Sequence, residues 1–172
     1  MRKPISSTPL IARPPPRLSP EAIRFSRRPE FGGRAAVVEI VRRGGRRAHV
    51  RLFTLWGHWR TRWELQDEDQ FILTAAEYRQ LAAQVDAALA RYRDPVPDPD
   101  NGETIVCMDG PGFLTERVTA SGVKSLVGQC PPAVDEEHPN RTIAALVDAM
   151  LCRHRGRTLR VAPLTLQGCA RR

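Results

Sequence analysis

Apolar and polar positions change rhythm along this chain, and the changes mark its elements. From Ala35 to Val41 and from Ala48 to Trp56 the residues are mostly apolar and β-branched, on either side of Arg42-Arg43-Gly44-Gly45-Arg46-Arg47. The Gly-Gly pair between them predicts a two-residue hairpin turn. After Gly57-His58, Trp59, Thr61, Trp63 and Leu65 alternate with Arg60, Arg62 and Glu64, which predicts a third, half-buried strand with Trp59 and Trp63 in the core. An acidic loop is expected at Asp67-Glu68-Asp69, and Phe71-Ile72-Leu73 then leads to Thr74 and Glu77, spaced as a capping box. Tyr78, Leu81, Val85, Leu89 and Tyr92 step by three and four, the pattern of an amphipathic helix that ends before Asp94-Pro95.

Beyond the Pro/Asp stretch 94–102, read as a linker, the order repeats. Thr104 to Met108, Phe113 to Thr119 and Val123 to Gly128 read as strands, separated by Asp109-Gly110-Pro111-Gly112 and by Ala120-Ser121-Gly122. Cys130-Pro131-Pro132 and a second acidic loop lead to Asn140, the expected N-cap of a helix. Its apolar stripe is Ile143, Leu146, Val147, Met150 and Leu151, and its stop is Gly156. The pattern predicts one α+β domain over 35–166. Its antiparallel sheet of five to seven strands is built from two β-β-β-α halves, 35–93 and 103–156, and is covered by the two helices.

Composition adds the ends. Residues 1–34 are rich in Pro, Ser and Arg and are expected to form a disordered lead, with a polyproline II character in "RPPPRLSP"; residues 167–172 form a basic tail. The formal charge of +8 belongs to these ends: 1–34 and the last twenty residues each contribute +6, whereas 35–152 carries −4. A domain built to bind phosphate backbone carries its charge on the folded face, so the balance argues against a dedicated nucleic-acid binder. No apolar run reaches the roughly 18 residues of a membrane span. The segment after Met1 has no apolar signal core, so the expected compartment is cytoplasmic if Met1 is the start, and periplasmic or secreted if a signal lies upstream.

Candidate chemistry is sparse. Arg42, Arg43, Arg46 and Arg47 at one hairpin tip are the candidate binding residues, for phosphate or an acidic partner. Cys130, His138, Cys152 and His154 have ligand chemistry suited to zinc, but their spacing matches no finger or ribbon, and no metal is expected. Asp67-Glu68-Asp69 lacks the turn glycine and distal glutamate of a calcium loop, and Asp109-Gly110-Pro111-Gly112 lacks the lysine and following helix of a phosphate loop. Glu116-Arg117 reads as a strand's solvated face. No nucleophile elbow or base at readable spacing is found, so no catalytic residue and no cofactor is assigned. Cys152 falls off the apolar stripe of its helix, and a Cys130–Cys152 disulfide is expected, with Cys169 the alternative partner. Its loop of about 22 residues would be worth on the order of 3 kcal/mol. These readings favour a small non-enzymatic binding or protein-interaction domain. The alternatives are nucleic-acid binding through the basic ends and the arginine tip, and a Cys/His metal protein or enzyme.

Overall fold

The computed structural model describes residues 21–29, 33–44, 47–57, 63–92, 112–129 and 139–154. Six strands and two helices occur among them: β1 (Glu21–Arg28), β2 (Gly33–Arg42), β3 (Arg47–Gly57), β4 (Glu64–Thr74), α1 (Ala75–Arg91), β5 (Gly112–Thr119), β6 (Gly122–Gln129) and α2 (Pro139–His154). The strands form one antiparallel sheet in the order β4-β3-β2-β1-β5-β6. The α+β class and the antiparallel sheet agree with the sequence reading.

The two β-β-β-α halves do not. Four strands precede α1, and β1 sits in the middle of the sheet, paired with β2 on one side and β5 on the other. The lead expected over 1–34 is therefore too long: Glu21–Arg28 is a central strand, with Ala22, Ile23 and Phe25 buried. Residues 1–20, the linker 94–102, the strand expected at Thr104 to Met108, Gly156 and the tail 167–172 lie outside the described residues.

Hairpins occur at β2–β3 and β5–β6, with Gly44 (φ 50°) and Gly122 (φ 132°) in left-handed conformations, but the β2–β3 connection is not the expected two-residue turn: β2 ends at Arg42 and β3 starts at Arg47, so four residues join them. The acidic loop is not a loop. Asp67, Glu68 and Asp69 lie within β4, an edge strand where solvent and the arginine of a neighbouring strand accept the charge. Trp63, just ahead of β4, is half-buried and outside the core, and Trp59 lies outside the described residues.

Both helices cover one face of the sheet. Ile23, Phe25, Val38, Ile40, Val50 and Leu52 meet Tyr78, Leu81 and Val85 of α1 and Ile143, Val147 and Met150 of α2 in one core. α1 begins with the expected box: the Thr74 hydroxyl accepts from the Glu77 N–H at 3.2 Å, and Glu77 Oε2 accepts from the Thr74 N–H at 2.8 Å. Asn140 is not a cap. It is buried within α2, and its Oδ1 accepts from the Thr115 hydroxyl of β5 at 2.7 Å, which fixes the start of α2 over the sheet. Thr115→Val removes that donor inside the core and is expected to cost about 1–2 kcal/mol, read as a lower urea midpoint with an unchanged slope.

Candidate functional site

The face opposite the helices is organised by charge. Strand register brings Arg51, Glu39, Arg24 and Glu116 side by side across β3, β2, β1 and β5, with Glu68 of β4 diagonal to Arg51. Arg24 donates from Nε to Glu39 Oε1 at 3.0 Å and from Nη1 to Glu116 Oε2 at 3.3 Å. Arg51 donates to Glu68 Oε1 at 2.9 Å from Nη2, and its guanidinium lies 4.7 Å from the centre of the Phe53 ring. Each arginine stands between two carboxylates, so the row alternates in sign along the sheet, with three carboxylates to two arginines. Glu116 is only 1% exposed, and its Oε1 is buried without a hydrogen-bond partner. The row ends at β6, where Ser125 faces Glu116.

A buried arginine works on the helix side. Arg117, 5% exposed, holds Asp86 of α1 in a fork, Nε to Oδ1 at 3.0 Å and Nη2 to Oδ2 at 3.2 Å; its Nη1 lies 3.4 Å from the Tyr78 hydroxyl. Burial pushes the Tyr78 hydroxyl pKa above its usual value, against the opposing pull of Arg117. Glu116 and Arg117 are thus not the solvated pair their sequence suggests. Glu116 joins β5 to β1 through Arg24, and Arg117 clamps α1 to β5.

The expected binding residues separate. Arg42 turns away from the hairpin tip: its Nη1 donates to Glu21 Oε2 at 3.3 Å, and its guanidinium sits 5.7 Å from the Tyr78 ring centre. Arg43 and Arg47 are exposed at the tip, and Arg46 lies outside the described residues. Among the described residues no group of three or more His, Cys, Asp or Glu is placed to hold a metal ion. Cys130 and His138 lie outside them. His154 stacks on Phe71, ring centres 4.6 Å apart, with Nε2 3.3 Å from Glu77 Oε1 but not aligned for a hydrogen bond. Cys152 is half-buried and is not a free thiol. It is the sole described cysteine, so its bonding partner lies outside the described residues.

Hydrogen bonds from the Thr74 backbone and side chain lower the Glu77 carboxyl pKa below its usual value, and His154 adds to the effect. A depressed folded-state value gives stability that is complete above the unfolded pKa and is lost as pH falls through the folded one. The melting-temperature advantage of the wild type over Glu77→Ala is expected to be full at neutral pH and to shrink below the ordinary value of 4.5.

The sheet's two edges differ. β4 carries Glu64, Asp67, Glu68 and Asp69, whereas β6 carries one charge, Lys124. On the outer face of β6, Val127 is 69% and Val123 43% exposed, opposite Leu114 and Val118 of β5. Beyond β6 no further strand pairs among the described residues. Strand order could not be read from the sequence, so this edge had no signal there. No known family model and no curated protein matches the chain.

Proposed function

We propose that the chain is a non-enzymatic interaction domain that takes an extended segment of a partner protein along β6. The observation that carries the proposal is the contrast between the edges. Unpaired edges are normally blunted by charge, as β4 is, but β6, an eight-residue strand paired with β5 on one side and with no strand beyond it among the described residues, presents two exposed valines on one face. An added strand gains main-chain hydrogen bonds from the β6 backbone, and alternate apolar side chains of the partner cover Val123 and Val127.

Panning a displayed library of random linear decapeptides against the full chain tests this. The expected result is enrichment of peptides with alternating apolar residues, whose binding is lost on Val127→Lys. Enriched peptides that bind the variant equally well contradict it. Nucleic-acid binding is the second reading, favoured by exposed Arg43 and Arg47 at the hairpin tip. Affinity for single-stranded RNA that falls steeply with salt and disappears in R43Q/R47Q would support that reading instead.

We infer that Cys130 is the partner of Cys152. Pro131-Pro132 stiffens the chain just past β6, and Cys152 stands away from the apolar stripe of α2. Peptide mapping of the non-reduced protein is expected to yield a 130–152 linked fragment; a link from Cys152 to Cys107 or Cys169 contradicts the inference.

A further inference from the structure

The sequence that leaves α2 is basic. After His154 come Arg155, Arg157, Arg160, Arg171 and Arg172, with no acid among them. α2 delivers this segment to β4, because the His154 ring lies on Phe71. Asp69 and Asp67 stand on the same side of β4 as Phe71, two and four residues away, about 7 and 13 Å along a strand.

Asp69 Oδ1 accepts from the Gln70 N–H at 2.7 Å, but its Oδ2 is buried and has no partner. On the adjoining strand Thr54, directly opposite Asp67 and 4% exposed, has a buried hydroxyl that also lacks a partner. Two neighbouring strands therefore turn a carboxylate oxygen and a hydroxyl oxygen, each with unused acceptor capacity, to the same side. A guanidinium carries several donors in a fixed fork and suits such a pair better than a water or an ammonium.

We propose that the arginine-rich segment following His154 docks along β4, with the guanidinium groups of Arg155 and Arg157 donating to Asp69 Oδ2 and Thr54 Oγ1. Position and charge both select this occupant. The segment starts where α2 meets β4, it is wholly basic, and β4 is the acidic edge of the sheet. Docking there offsets the negative charge of the β4 edge.

Limited trypsin digestion of the full chain at low salt, followed by mass spectrometry, tests the proposal through cleavage after Arg157 and Arg160. Asp69→Asn is expected to speed that cleavage roughly fivefold, the release of one charge-assisted contact. Arg155→Gln leaves β4 untouched and is expected to produce the same acceleration, and the double variant no more than either alone, because both remove one interaction. Cleavage in the wild type as fast as in both variants, or effects of the two substitutions that simply add, would overturn the proposal. A wild-type rate that changes with protein concentration would overturn it too, since the arginines would then dock on a second copy.

Discussion

Arg24→Ala is expected to cost about 3–5 kcal/mol, because it strips the shared cation from two carboxylates, one of which has no water to turn to. Glu116 is buried to within 1% of completeness, and Arg24 is the cation it meets; Glu39 on the other side keeps Arg51, whose Nη1 lies 4.0 Å away. The damage should therefore concentrate at Glu116. For a chain of this size the loss corresponds to a fall in melting temperature of roughly 10 °C. The double variant Arg24→Ala/Glu116→Leu, which removes the stranded charge as well, is expected to recover much of the loss. Equal destabilisation in the single and double variants would mean that the row contributes through packing and not through charge.

A chain that starts at Pro29 is expected not to fold. Losing β1 leaves β2 and β5 facing each other across an empty strand position and divides the sheet into β4-β3-β2 and β5-β6. The second piece is a lone hairpin, which is at best marginal in water. Phe25→Ala gives the graded version within the full chain. Its ring is fully buried, 6.0 Å from the Phe113 ring centre, and truncation is expected to cost about 3–5 kcal/mol. Far-UV circular dichroism of the truncated chain and guanidinium titration of the point variant check the two outcomes.

The same strand shows where sequence reading stopped. In Glu21–Arg28 the apolar Ile23 and Phe25 alternate with Arg24 and Ser26, but three arginines in eight residues, after a Pro-rich run, read as a solvated lead. What makes the strand burial-competent is Glu39 and Glu116, 15 and 92 residues further along, and no local window contains them. Local signals fared better. The Thr74/Glu77 box, the stripes of both helices and the glycine turns of both hairpins act within a few residues and were legible. Asp67-Glu68-Asp69 misled because an edge strand tolerates charges that a central strand excludes, and edge position is set by topology. Arg42 misled for a related reason. Its neighbours point to solvent at the tip, but strand alternation turns its side chain toward Tyr78 and Glu21. The β6 edge follows from strand order alone, and its exposed valines acquire meaning only once no strand is found beyond them among the described residues.

Residue-resolved hydrogen exchange on the full chain tests most directly the central claim, that one sheet runs unbroken from β4 through β1 to β6, its far edge among the described residues. The amides of Ile23 to Ser26 are expected to exchange as slowly as those of β2 and β5, at the rate of global unfolding, with faster exchange along β6. Exchange of the Ile23 to Ser26 amides at the rate of an unstructured peptide, while β2 and β5 stay protected, would contradict the account.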